Sequence, residues 1–318
     1  MAEGLDIENS EGAPQPGRWR ALRLPWLPTS AALAVDVASA PALRDRDAGN
    51  ARGSMQQNAP LIVVTAASSN HFGALRQMLE SLRRLGARVE CYDIGLTAGE
   101  ARALPRWHGC LHHTFDYDAY PPHLNVAVNA GEYAWKPIIV ADVIDRARAA
   151  GDPSDVLWAD AGSFFHDLQP MANRIRESGG LWVRTSAGVM REWTHPLMFE
   201  YLGVDPRQYA ERRNADATMV GFAVGSASPS ARETVYREIV LPWKTYALIK
   251  ECIAPAGSSR QNHRQDQSVL SYLVHRAGYA FAQDTWRDLG VRTKCDRWFY
   301  HYIGFGVPPC LYARTCLS

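Results

Sequence analysis

The chain has 318 residues, with 34 Lys and Arg against 33 Asp and Glu, and 47% of it is hydrophobic. That length and apolar content can fill a substantial core. The even charge balance excludes a basic stripe for nucleic acid and a field that grips an anionic membrane, and no run of roughly 20 apolar residues is present to span a bilayer.

Residues 1–58 are rich in Ala, Pro, Arg and Ser and contain neither Phe nor Tyr. Such a stretch buries too little to offset its ordering entropy, so a disordered leader is expected there, with one folded domain over residues 59–318. Basic residues 18–23 followed by residues 24–40 faintly resemble a secretory signal, although Pro25, Pro28 and Asp36 interrupt the apolar run. A secretory or Golgi lumen and the cytoplasm both stay open as compartments. The six cysteines form no C-x-x-C pair, which removes the usual structural-zinc pattern. Cys310 and Cys316 are spaced to close a small loop, and buried free thiols are an equal expectation.

The folded part opens on residues 61–66, a short apolar run that reads as a buried strand. Ser69 and Asn70 then precede a helix whose apolar positions are Phe72, Leu75, Met78, Leu79, Leu82 and Leu85, ended by Gly86. A strand over 87–94 completes a parallel crossover unit. A short helix at 97–103 and a strand at 110–115 continue the alternation. Residues 116–133 are irregular, a length that marks a functional or mobile loop. Pro137 opens a helix to about residue 149, and a central strand then leads through Val156, Leu157 and Trp158 into Asp160. Beyond it come a helix at 168–177, strands at 181–184 and 218–224, and helices at 230–249 and 266–277. The alternation predicts an α/β sheet with its active edge at the strand carboxyl ends.

Four segments carry candidate chemistry. Asp160, in Trp158-Ala159-Asp160-Ala161-Gly162, is suited to hold a metal, position a sugar hydroxyl or act as a base; equally, Asp before a turn is a common cap. Lys136, in Trp135-Lys136-Pro137, precedes free helix N–H groups that would cradle a diphosphate, or it is a surface lysine at a helix start. Asp266 and Gln267 offer hydrogen bonds to a polyhydroxylated substrate, or Asp266 simply caps its helix. His301, before Gly304 and Gly306, is a metal ligand or a structural histidine.

The order of Asp160, the Asp216–Phe222 segment, Asp266-Gln267 and His301-x-x-Gly304 resembles the landmarks D-x-D, N-x-G, D-Q-x-x-L and H-x-x-G-x-x-K-P-W of GT-A glycosyltransferases. The likeness is strongest to the glycogenin-like, retaining nucleotide-sugar transferases and to families with a W-x-D-A-G strand end. It covers residues 61–309. This resemblance implies a GT-A-like (Rossmann-like) α/β fold, with a mixed, mostly parallel sheet flanked by helices. It implies transfer of a sugar from a nucleoside-diphosphate donor, such as a UDP-sugar, to a glycan, protein or small-molecule acceptor. It also implies Mn²⁺ or Mg²⁺ held by Asp160 and His301, a nucleotide contacting Thr65, Ala66 and Trp158, and Asp266 and Gln267 as catalytic residues beside the sugar. Gly162 stands where the second Asp of D-x-D would be, and Val307 where the phosphate-binding lysine would be. Lys136 is the expected replacement for that cation, and His166 or Asp167 for the missing ligand. Two other readings stand beside the transferase: a nucleotide-sugar-binding protein with a decayed metal site, and a metal-dependent hydrolase using Asp160 with His166, His263 or His301.

Overall fold

A computed structural model describes residues 60–293, without the side chains of 106–108. The expected leader, His301 and the glycine-rich segment after it lie outside the described residues, as do Cys295, Cys310 and Cys316. Cys91, Cys110 and Cys252 are buried free thiols.

A six-stranded sheet organises the described chain. Its strands are β1 (Leu61–Ala67), β2 (Arg88–Asp93), β3 (Leu111–Thr114), β4 (Asp155–Ala159), β6 (Leu181–Val189) and β7 (Arg213–Phe222), in the order β3-β2-β1-β4-β7-β6. β1 pairs in parallel with β2 and β4, and β2 with β3, while β7 runs antiparallel to both β4 and β6. The sheet is therefore mixed and mostly parallel, as expected. A separate pair, β5 (Phe164–Phe165) with β8 (Val291–Arg292), was not foreseen, because two residues are too few to show a period.

Among the described residues, ten α-helices accompany these strands. They are α1 (Phe72–Arg84), α2 (Ala98–His108), α3 (Trp135–Ala150), α4 (Gln169–Glu177), α5 (Met190–Trp193), α6 (Pro196–Leu202), α7 (Pro229–Val235), α8 (Leu241–Ala247), α9 (Lys250–Ile253) and α10 (Gln265–Arg276). α1 buries Leu75, Met78, Leu79 and Leu82, the stripe its spacing sets, and the chain leaves it through Gly86 at φ 66°. α2 starts on a capping box in which Thr97 accepts from the Glu100 N–H and Glu100 accepts from the Thr97 N–H. A wide π turn, Tyr236–Val240, joins α7 to α8, so the single helix expected over 230–249 is interrupted but continuous. Among the described residues, no helix is long and apolar enough to cross a membrane.

Strand alternation divides the core into two layers. Ile62, Val64 and Ala66 of β1, with Val156 and Trp158 of β4, pack with apolar residues of α3, α8 and α10. Val63, Leu157 and Ala159 point the other way, onto α1 and α4. By the same period, Asp160 follows Trp158 on the α3/α10 side, just past the end of β4.

Candidate active site

Three distant segments meet at the carboxyl end of β4. Asp160 continues the sheet pairing through its N–H, which donates to the Thr218 carbonyl at 2.9 Å, and the turn after it closes as the Ser163 N–H donates to the Asp160 carbonyl at 3.0 Å. Its side chain is 41% exposed, and its Oδ1 lies 3.1 Å from the Lys136 ammonium. Trp158, fully buried two residues earlier, donates from Nε1 to the same Oδ1 at 2.9 Å. The indole thus fixes the carboxylate's orientation while its ring packs in the core.

Lys136 enters from the first turn of α3 with its side chain only 5% exposed. Its Nζ is 3.1 Å from Asp160 Oδ1, 3.1 Å from Asp266 Oδ2 and 3.1 Å from the Ala217 carbonyl of β7, and it lies 5.4 Å from the centre of the Trp158 ring. Burial alone would lower its pKa, but the two carboxylates hold it above the usual lysine value. An ammonium has three N–H groups, and three oxygens already surround this one. The expected open diphosphate cradle is therefore corrected: Lys136 points inward and ties two carboxylates together.

Asp266 sits in the first turn of α10 with its side chain 6% exposed. Its backbone carbonyl accepts from the Trp243 indole at 2.9 Å, which anchors the helix start to α8. Burial pushes its carboxyl up to about 6 against the pull of Lys136, and the nearby Asp160 charge adds to the rise. Asp266 Oδ2 faces the ammonium off the hydrogen-bond direction, so this oxygen has no hydrogen bond among the described residues; the Gln267 Nε2 and Thr65 Oγ1 atoms share that condition.

Thr65 and Ala66, expected to face the nucleotide base, lie inside the sheet at 0% and 6% exposure. The accessible end of β1 is instead the turn that follows, where Asn70 and His71 are exposed. Trp158 is likewise a support of Asp160 and not a nucleotide contact. His263, one candidate for hydrolytic chemistry, is buried with both ring nitrogens engaged. Nε2 donates to the Ile253 carbonyl at 3.0 Å, and Nδ1 accepts from the His195 N–H at 3.2 Å. Burial lowers its pKa to about 4, so it is a neutral pin. Asp167 accepts from the Gln169 N–H at 2.9 Å, just before α4.

Asp160 has one oxygen facing outward, Gly162 contributes no ligand atom, and His301 lies outside the described residues. Among the described residues, no group of three or more His, Cys, Asp or Glu side chains could hold a metal ion. Sites for Mg²⁺ are commonly built from one or two carboxylates, with water and phosphate oxygens completing the coordination, and Asp160 is the expected ligand that lies among the described residues.

Sequence reasoning missed the residues that frame this trio. Asn129, Ala130, Gly131, Glu132 and Tyr133 all have positive φ, between 46° and 63°, and form one left-handed turn directly before α3. Gly131 is required there, because a Cβ would lie 2.3 Å from the Leu124 carbonyl oxygen. Gln265, beside Asp266, is also left-handed at φ 40°, and its Nε2 reaches Glu132 Oε2 at 3.5 Å. The Asn129-Ala130-Gly131 run was the one available sign, as Asn and Gly tolerate this conformation best.

A family described as a protein of unknown function (DUF1647) matches residues 44–141. No curated protein matches the sequence. Among solved structures, the chain is similar to mouse xyloside xylosyltransferase 1 in its apo form, at 9% identity and a TM-score of 0.42, covering 72% of this chain and 85% of that one. It is similar to the galactosyltransferase LgtC in complex with donor and acceptor sugar analogues, at 14% identity and a TM-score of 0.40, covering 70% and 73%. It is also similar to the core-mannan synthase A of Aspergillus fumigatus in a Mn/GDP form, at 9% identity and a TM-score of 0.44, covering 75% and 76%.

Proposed function

We propose that the protein is a glycosyltransferase that moves a sugar from a nucleoside-diphosphate donor to an acceptor hydroxyl. The observation that carries this reading is the convergence of Asp160, Lys136 and Asp266 at the carboxyl end of β4. In the reaction, the bond from the anomeric carbon to the donor phosphate oxygen breaks, and its electron pair leaves with the diphosphate. The acceptor oxygen forms the new bond, and its proton passes to the departing phosphate or to a carboxylate. The sugar ring carries developing positive charge, which Asp266 and the amide oxygen of Gln267 oppose. Asp160, with its outward oxygen, accepts hydrogen bonds from donor hydroxyls. Lys136 keeps the two carboxylates from repelling each other and fixes their separation, so that no reorganisation is needed during reaction. Retention of configuration, with UDP as the carrier, is the finer reading drawn from the likeness to glycogenin-like enzymes.

One observation favours a second reading. Gly162 and Val307 stand where the transferase landmarks have a second Asp and a phosphate-binding lysine, which suits a nucleotide-sugar-binding protein without turnover. A thermal-shift screen of UDP- and GDP-sugars, with and without Mn²⁺, tests donor binding, because a ligand that binds the native state raises its melting point by mass action. At least one nucleotide sugar is expected to raise the midpoint of the wild type and not that of Asp160→Asn. A Mn²⁺-dependent shift would support the metal expectation at Asp160 and His301. No shift with any nucleotide sugar would overturn the proposal.

A further inference from the structure

A diphosphate leaving group needs a cation, and Lys136 is buried with its ammonium among three oxygens. Other arginines are also engaged. Arg264 lies 4.0 Å over the Trp193 ring and donates to Ser186 Oγ at 2.9 Å, and Arg184 lies 4.2 Å over Trp286. Arg260 differs. It is exposed, has no carboxylate partner among the described residues, and rests its guanidinium 5.1 Å from the centre of the Tyr133 ring.

A chain of aromatic contacts links that shelf to the carboxylates. Tyr133 is 6.1 Å from Trp135, Trp135 is 6.0 Å from Trp158, and Trp158 donates to Asp160. Burial raises the pKa of the Tyr133 hydroxyl, and the charges of Arg260, Asp266, Lys136 and Asp160 also act on it, so all four groups lie near this ring. The loop carrying Arg260 is footed firmly. His263 is pinned at one end as described, and the Ser259 N–H donates to Asn262 Oδ1 at 2.7 Å. A guanidinium stacked on a ring uses its face, which leaves the N–H fork along its edge free for two phosphate oxygens.

We infer that Arg260, laid on Tyr133 at the mouth of the site, is the cation that takes the donor diphosphate. This rests on the glycosyl-transfer reading. The left-handed turn carries the Tyr133 shelf and leads into the start of α3.

Titration calorimetry of the full chain with UDP and GDP, each compared with its nucleoside, tests the assignment. Arg260→Ala is expected to weaken diphosphate binding by roughly 10-fold or more, the worth of a charge-assisted hydrogen bond. Nucleoside binding and the melting midpoint should stay at wild-type values, and the salt dependence of diphosphate binding should flatten. Arg260→Lys, which keeps the charge but loses the fork, should fall between the two. Diphosphate binding by Arg260→Ala as tight as wild type would overturn the Arg260 assignment and leave the transfer reading standing. No diphosphate binding by the wild type would overturn both.

Discussion

Lys136 is the residue whose removal should cost most. It is buried with two carboxylates, and Asp266 is almost as deeply enclosed. Taking away the ammonium leaves Asp266 as an uncompensated buried charge, so Lys136→Met should destabilise the fold by about 3–5 kcal/mol. Adding Asp266→Asn should restore most of that loss, because the remaining carboxylate at 160 reaches solvent. Urea unfolding of the two variants at neutral pH checks this; equal stability of the single and double variants would contradict the buried trio.

Asp266 also sets a pH dependence. Its folded carboxyl is raised from the ordinary 3.8 to about 6. A raised acid contributes stability that is full below its ordinary value and is lost as pH rises through about 6. Relative to Asp266→Asn, the wild type should therefore lose stability between pH 4 and pH 7, measured by urea unfolding at both. Catalysis should run the opposite way. As pH falls through 6, Asp266 takes up a proton and no longer opposes charge on the sugar, so kcat/KM should fall with an apparent pKa near 6. The chemical character of these residues was legible in the sequence: a carboxylate at a strand end, a lysine before Pro137, and Asp-Gln opening a helix. Their directions were not. Nothing in the order Trp158-Ala159-Asp160 says that the indole turns back to hold the carboxylate, or that Lys136 points inward to three oxygens.

At the scale of elements, the left-handed turn at 129–133 is the feature that departs furthest from ordinary backbone. L-residues reach this conformation singly, at a cost of roughly 1–2 kcal/mol each, and rarely in a row. The surroundings offset the cost here. The Trp135 indole donates to the Ala130 carbonyl at 3.0 Å, and Asn129 donates to Glu132 Oε2 at 2.9 Å. Gly131→Ala should break the turn through contact with the Leu124 carbonyl and destabilise the protein by about 1–3 kcal/mol. It should also misplace the Tyr133 ring under Arg260, so that affinity for a nucleoside diphosphate falls further than for a Gly151→Ala control, where a Cβ meets nothing within 4 Å. Thermal unfolding and calorimetry read the two effects. Segment 116–133 showed itself in the sequence only as an irregular stretch, because a run of left-handed residues has no hydrophobic period. Strands β6 and β7 extend past the apolar runs that revealed them: β7 begins at Arg213, ahead of its apolar run, and β6 continues through Ser186 and Gly188 past its apolar start. By contrast, α1 and α3 lie close to where their spacing placed them, although Ser69 and Asn70 do not cap α1, which starts after His71 with no side-chain cap bond.

For the whole molecule, the alternation of strands and helices was enough to place Asp160 on the carboxyl edge of a mostly parallel sheet, where such sheets hold their ligands. The antiparallel β7 was not readable, since direction depends on a connection whose path leaves no mark in composition. Yet β7 matters to the site: its Ala217 carbonyl is the third oxygen around Lys136. Two apolar layers clamp the sheet on both faces, so the trio is held by the core and not by mobile loops, as a preorganised electrostatic site requires. The most direct test is turnover itself: release or transfer of sugar from a panel of UDP- and GDP-sugars by the wild type, Asp160→Asn and Asp266→Asn. Sugar transfer by the wild type, reduced at least roughly 100-fold in both variants, is the predicted result; wild-type rates in either variant would contradict the assignment of the trio as the transfer site.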